Sequence, residues 1–265
     1  ECSFAAKPAT VTALLGPSGA GKSSLLDVLA GRRTTGKMSA ASVVCVDGLS
    51  TTATERRRLS RYAPQDALLP PSLTAAEHLE FHGRLRLPQS WSDARKTRSA
   101  MREARRLGLT LANDFDATKV LLSRASGGQR RRITLATERV AKTRLFFCDE
   151  PTTGLDAATA LLACRRLRRV SRRGVTVVDV LHQPRPEIFF DLDVVVLVVK
   201  GRVAFVGSPK QAARQFIGGP TTSLTATINP ADAMLDAVTT TTSAPPRQQH
   251  RHRRRFDVDG NSQRS

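Results

Sequence analysis

The run Gly16-Pro17-Ser18-Gly19-Ala20-Gly21-Lys22-Ser23 fits G-x-x-x-x-G-K-[ST] at every fixed position. Its glycines let backbone N–H groups turn inward around phosphates, and a following helix would point its positive end at them. In such a loop Lys22 reaches the β- and γ-phosphates of a nucleotide, and the Ser23 hydroxyl binds Mg²⁺. Ser24 continues into that helix.

A second carrier of chemistry is Leu145-Phe146-Phe147-Cys148-Asp149-Glu150, an apolar strand that delivers two carboxylates at its C-terminal end. Open α/β sheets place their ligands there. Asp149 is expected to hold Mg²⁺, directly or through water, and Glu150 to polarise an attacking water. The third is Ser126-Gly127-Gly128-Gln129, followed by Arg130 to Ile133. Two glycines allow close backbone approach, Ser126 adds a hydroxyl, and the helix start completes an anion site. A phosphate loop and a separate Ser-Gly-Gly-Gln helix start together imply ATP held between two protein surfaces, in a dimerising ATPase.

Elements of matching type surround these residues. Thr10 to Leu15 reads as a buried strand, and Ser24 to Ala30 as a helix with Leu25, Leu26 and Leu29 on one face. Ser42 to Val46 reads as a second strand, closed by a turn at Asp47-Gly48. From Gln65 to Arg124 the pattern becomes helical. Thr74-Ala75-Ala76-Glu77 has capping-box spacing, and Ser92 starts a helix that Gly108 ends. His78 and His82 on this insert are expected to face solvent. Then strands and helices alternate again: a helix over Arg130 to Lys142, a strand over Leu145 to Cys148, a helix over Ala157 to Arg169 and a strand over Val175 to Leu181. Strands at Val194 to Val199 and Val203 to Val206 follow, with a hairpin turn at Lys200-Gly201. Continuous Val/Leu runs mark strands covered on both faces, as in a mostly parallel sheet. Asp179 places a carboxylate inside one of them.

The 265 residues suffice for one sizeable α/β core. A net charge of +19 raises nucleic acid or an anionic membrane as a neighbour, but the arginines are scattered as pairs along the chain and describe a generally basic surface. Cys2, Cys45, Cys148 and Cys164 form no Cys-x-x-Cys pair, so reduced thiols in the cytosol are expected, with Cys148 in the core. No run approaches the ~20 apolar residues of a membrane helix. The start, Glu1-Cys2-Ser3-Phe4, has neither a signal-peptide pattern nor an initiator methionine, as in a fragment. From Thr239 to Ser265 the composition reads as a disordered basic tail, in which His250 and His252 belong to a solvated run and not to a metal site.

The chain resembles the nucleotide-binding domain of an ABC transporter over residues 3 to 238, most closely the G subfamily. Walker A corresponds to Gly16 to Ser23, the Q-loop to Gln65, the signature to Ser126 to Gln129, Walker B to Leu145 to Glu150, the D-loop to Asp156 and the switch histidine to His182. The subfamily flavour lies in the run from Gly16 to Arg32, in Pro151 to Asp156, in His182-Gln183-Pro184 and in Asn229-Pro230-Ala231-Asp232. The resemblance implies an α/β P-loop NTPase core with a mostly parallel sheet, plus an inserted helical subdomain at about 65–130 that carries the signature. It implies ATP and Mg²⁺ as ligands, with Gln65 sensing metal and water while coupling to a transmembrane partner, and His182 contacting the γ-phosphate.

The same resemblance implies a second nucleotide-binding domain stacked head to tail, with Asp156 at the interface, and a transmembrane domain outside this chain. The place of work would be the cytoplasmic face of a membrane, and the cargo lipids, sterols or other hydrophobic compounds. The family's two upstream strands and adenine-stacking aromatic are expected to be absent, since fifteen residues precede Gly16 and Phe4 is the only aromatic among them. Two rival readings stand beside this one. A soluble ABC ATPase acting on nucleic acid or ribosomes would suit the charge, although His182-Gln183-Pro184 and the single cassette speak against it. A truncated, non-catalytic cassette would suit the short start, although Lys22, Asp149, Glu150 and His182 are all present.

Overall fold

The computed structural model describes residues 2–32, 42–109, 119–217 and 229–243. Its centre is a six-stranded sheet. In chain order the elements are β1 (Val11–Leu15), α1 (Lys22–Leu29), β2 (Cys45–Val46), β3 (Leu49–Ser50), α2 (Ala53–Leu59), β4 (Ser60–Ala63), α3 (Ala75–Arg86), α4 (Asp93–Arg106) and α5 (Gly127–Arg139). They continue with β5 (Leu145–Asp149), α6 (Ala157–Ser171), β6 (Thr176–Val180), α7 (Pro186–Phe189), β7 (Val194–Val199), β8 (Arg202–Gly207), α8 (Pro209–Phe216) and α9 (Pro230–Ser243).

The sheet order is β4-β5-β6-β1-β7-β8. All neighbours are parallel except β7 and β8, which Lys200-Gly201 joins as an antiparallel hairpin. Successive strand residues point to opposite faces. Leu14, Phe147, Val178, Val180 and Val196 therefore pack on one side with Leu26 of α1. Val11, Ala13, Phe146, Cys148, Val177 and Val195 pack on the other with Leu167 and Val170 of α6. Covering both faces is what makes these strands read as unbroken apolar runs.

The segment between β4 and β5 supplies the helical insert, in which α3, α4 and α5 pack on one another. Thr74 caps α3 through the expected box: its Oγ1 accepts from Glu77 N at 3.2 Å, and Glu77 Oε2 accepts from Thr74 N at 2.8 Å. Such a cap is worth about 1 kcal/mol relative to alanine. Ser92 is the N-cap of α4, without a side-chain bond to the helix.

Three expectations are corrected here, and one stretch without a reading is filled. The strand read over Ser42 to Val46 is only Cys45–Val46, paired with Leu49–Ser50 in a separate small hairpin. Asp47 and Gly48, both at positive φ (52° and 79°), turn it as a primed turn does. His78 does not face solvent, and His82 is half-buried. His78 is 4% exposed, and the two rings stack edge to face at 4.6 Å between α3 and the Q-loop segment. Burial pushes both imidazoles down to about 4. The α9 helix runs to Ser243, past Thr239, where the composition turns Thr-rich; the rest of the expected tail, with His250 and His252, lies outside the described residues. Finally, β4 and α2 fill a stretch with no reading of its own, because Arg56, Arg57, Arg58 and Arg61 mask a short strand and a capped helix.

Candidate functional site

The four parallel strands β4, β5, β6 and β1 end at one edge of the sheet, and each is followed by one of the marked segments. Gln65 follows β4, Glu150 follows β5, His182 follows β6 and the phosphate loop follows β1. Sequence order and sheet order differ, so only the crossovers bring these residues side by side.

Gly16 leaves β1 at φ 151°, where an added Cβ would lie 2.0 Å from the Val198 carbonyl oxygen. Gly19 (φ 74°) faces open space, and Gly21 (φ 95°) is the N-cap of α1. The loop Gly16, Pro17, Ser18, Gly19, Ala20 and Gly21 thus curls in front of a helix start whose first N–H groups have no intrahelical acceptor. Lys22 is buried, and its Nζ spans the loop, donating to the Gly16 and Pro17 carbonyls at 2.9 Å each. Burial pushes its pKa down, against the raising fields of Glu150 and Asp149.

Ser23 Oγ donates to Asp149 Oδ1 at 3.0 Å. Tyr62 Oη donates to Asp149 Oδ2 at 2.9 Å, and burial first, then the Asp149 charge, pushes the phenol's pKa up. Glu150 sits at φ 48°, an uncommon backbone for a side chain of its size, and its N–H donates to the Val180 carbonyl at 3.1 Å. That turn brings its carboxylate to Gln65, whose Nε2 donates to Glu150 Oε2 at 3.0 Å, and to Thr153, whose hydroxyl donates to the same oxygen at 2.6 Å. His182 is exposed just beyond β6, where Gln183 turns the chain at φ 45°. Among the described residues no hydrogen bond joins its ring to this cluster.

Ser126 caps α5. Its Oγ accepts from Gln129 N at 3.2 Å while Gln129 Oε1 accepts from Ser126 N at 2.9 Å. Asp156 caps α6, its Oδ1 accepting from Ala158 N and Thr159 N at 3.0 Å each. A hydrogen bond from the Thr159 side chain, together with these backbone bonds, holds its carboxyl below the usual range. The two helix starts touch: a Cβ on Gly128 would lie 2.5 Å from Thr159 Cγ2, and one on Gly127 would lie 3.8 Å from the Gly154 carbonyl oxygen. Ser126, Gly127, Gly128 and Asp156 therefore form a second surface. Among the described residues no hydrogen bond or ion pair joins it to Lys22 or Ser24.

Three residues to which the sequence reading assigned no role belong to the site. Tyr62 stands three positions before Gln65 and is the only tyrosine of the chain. Thr153 lies one turn after Glu150. Arg131, two residues past Gln129, donates to the Pro64, Gln65 and Asp149 carbonyls. Only the lone tyrosine carried a signal in the sequence. Two subfamily motifs also meet, since Asn229 Nδ2 donates to the Pro184 carbonyl at 3.2 Å.

The donor set suits a nucleotide and its metal. The Ser23 hydroxyl and the Asp149 carboxylate are hard oxygen ligands 3.0 Å apart beside a buried ammonium, of the type Mg²⁺ takes together with substrate phosphates. No clamp of three His, Cys, Asp or Glu side chains exists among the described residues.

Known proteins resemble this chain in sequence and fold. Residues 1–153 match the family model described as ABC transporter. ABC transporter G family member 22 of Dictyostelium discoideum is 35% identical over 239 residues, covering 88% of this chain and 38% of the relative. The broad substrate specificity ATP-binding cassette transporter ABCG2 of Bos taurus is 36% identical over 228 residues, covering 86% and 34%. Protein white of Drosophila melanogaster is 34% identical over 229 residues, covering 86% and 33%. The chain thus spans about a third of the length of these relatives. In fold it is similar to an ATP-binding cassette solved as a dimer in a post-hydrolysis state with ADP and Pi, with TM-score 0.65 and 22% identity over 78% of this chain and 89% of that one.

Proposed function

The chain belongs to the ABC transporter family and carries its ATP-binding cassette, and on that premise we propose that it works as the ATP-hydrolysing domain of a G-type transporter. The observation that carries this reading is one hydrogen-bonded edge: Lys22 in the phosphate loop, Ser23 on Asp149, and Gln65 on Glu150.

Each residue has a role there. The loop amides and the α1 start bind phosphate oxygens, and the Lys22 ammonium exchanges its two loop carbonyls for the β- and γ-phosphates. Ser23 and Asp149, with Gln65, would hold Mg²⁺, which neutralises phosphate charge when bound. Glu150 orients a water and accepts its proton as that water's oxygen bonds to the γ-phosphorus. The bond from the γ-phosphorus to the bridging oxygen breaks, and ADP and phosphate leave. Gln65 and Thr153 fix the Glu150 carboxylate in place, and His182 contacts the γ-phosphate from beyond β6.

A second nucleotide-binding domain stacks head to tail, so that Ser126, Gly127, Gly128 and Gln129 of one domain cover ATP on the other. The contact of Gly128 with Thr159, beside Asp156, supports this reading because it presents the signature and D-loop as one continuous surface. The work is done at the cytoplasmic face of a membrane, beneath a transmembrane domain. The cargo is a lipid, a sterol or another hydrophobic compound. No described helix is long and apolar enough to cross a membrane.

Sedimentation of Glu150→Gln tests this reading. MgATP should convert the variant from monomer to dimer and ADP should not. A variant that binds ATP and stays monomeric would contradict the sandwich.

A further inference from the structure

The β4–β5 ladder ends with Ala63 opposite Cys148. The residue after β4 is Pro64, which has no N–H to continue the ladder. Past this point the two chains separate into the Q-loop and the Walker B turn, and their carbonyls need donors from elsewhere. Arg131 provides them. One of its terminal nitrogens donates to the Pro64 and Gln65 carbonyls, and the other to the Asp149 carbonyl. The side chain is 7% exposed. A planar guanidinium with donors in a fixed fork can hold three carbonyls in one arrangement; an ammonium is a point donor.

The carbonyls it holds are placed for consequence. Gln65 and Glu150 meet each other through a single hydrogen bond, and Arg131 grips the backbone of Gln65 and the peptide immediately before Glu150. Arg131 itself lies on α5, just over one turn from Ser126. The helix start that would cover a partner's ATP is therefore tied to the residues that would act on this chain's own ATP. Among the described residues no other side chain of α5 reaches both loops.

We propose that Arg131 is a positioning residue that sets Gln65 against Glu150 and transmits their position to the Ser126–Gln129 helix start. The catalytic half rests on the ATPase reading above; the structural tie does not. A shift of the Q-loop on ATP binding then moves the signature surface of the same domain, because both are fastened to one buried guanidinium.

The test uses Arg131→Met and Arg131→Lys in the 265-residue chain. With a fluorescent ATP analogue, both variants should bind within about threefold of the parent. Their kcat should fall in order, arginine above lysine above methionine, with the methionine variant down about a hundredfold, as expected when reacting groups lose their alignment. A methionine variant with parental kcat, or one whose affinity falls in step with kcat, overturns the proposal. If the methionine variant does not fold, the lysine variant decides on the same readouts. Hydrogen exchange without nucleotide reads the tie alone. Amides of Gln65, Asp66 and Glu150 should exchange faster in the variants, together with the first turn of α5, and unchanged exchange at either loop overturns the tie. A parent chain without ATPase activity would sink the functional reading, and the exchange measurement would still decide the tie.

Discussion

Tyr62 Oη donates to Oδ2 of Asp149 at 2.9 Å, on the opposite oxygen from the one Ser23 engages. The two hydroxyls clamp the carboxylate from both sides, so its orientation is fixed before any metal arrives. Partners that orient a metal-ligating carboxylate typically change metal affinity tenfold to a hundredfold when removed. Tyr62→Phe keeps the ring in its buried place and deletes the donor. The Mg²⁺ concentration for half-maximal ATPase should rise about tenfold, while the fold and the thermal midpoint change little. An unchanged Mg²⁺ requirement would remove Tyr62 from the site.

Gly128 is required by space and not by backbone conformation, since α5 and α6 meet at it. Gly128→Ala would drive a methyl to 2.5 Å from Thr159 Cγ2, closer than carbon atoms pack. Overpacking of this kind costs about 1–3 kcal/mol. The added methyl offsets part of this through its helix propensity. Adding Thr159→Ala removes the obstructing Cγ2, so the double variant should recover the loss. Urea unfolding of the four proteins measures the coupling, and strict additivity would show that the helices separate freely.

Two buried groups give the chain opposite pH slopes over the same window. Asp179 is 1% exposed between Ala13 and Cys148, and its Oδ1 has no partner among the described residues. Burial pushes its pKa up from 3.8 to about 7. The folded state then holds a proton that the unfolded state has lost. Stability from this group is complete below about pH 4, falls as pH rises to about 7 and is flat above, a span of about 4 kcal/mol. His78 has the reverse sign. Its folded pKa of about 4 lies below the ordinary 6.5, so the unfolded state binds the extra proton and stability falls as pH drops from 6.5 to 4. His82 shares the sign of His78, so Asp179→Asn should make stability rise more steeply with pH from 4 to 6.5, and His78→Gln should make it rise less steeply than in the parent. Urea midpoints at pH 4.5, 5.5 and 6.5 check both signs.

The parts of this molecule legible in the sequence are those where one local pattern fixes one outcome. The glycine spacing of Gly16 to Lys22, the cap at Thr74 and the continuous valines of β7 need no tertiary information. The hairpin at Lys200-Gly201 is equally local. What escaped depends on distant partners. His78 sits on a helix of mixed polarity and reads as exposed until the Q-loop segment covers it. Arg131 is one of three consecutive arginines, and only the end of the β4–β5 ladder singles it out. The β4 strand itself carries Ser60 and Arg61, and is a strand because β5 lies beside it. Asp179 Oδ1 has no partner among the described residues, and no local pattern accounts for a carboxylate at that position.

The central claim is that Glu150 acts on ATP bound at Lys22 and does so in a paired cassette. Mg²⁺-ATPase rate against protein concentration measures it most directly, with Glu150→Gln and Lys22→Ala as controls. The expected result is a specific activity that rises with concentration and vanishes in both variants, with ATP binding retained in Glu150→Gln and lost in Lys22→Ala. A parental rate in Glu150→Gln, or a folded chain that fails to bind ATP at all, would contradict the account.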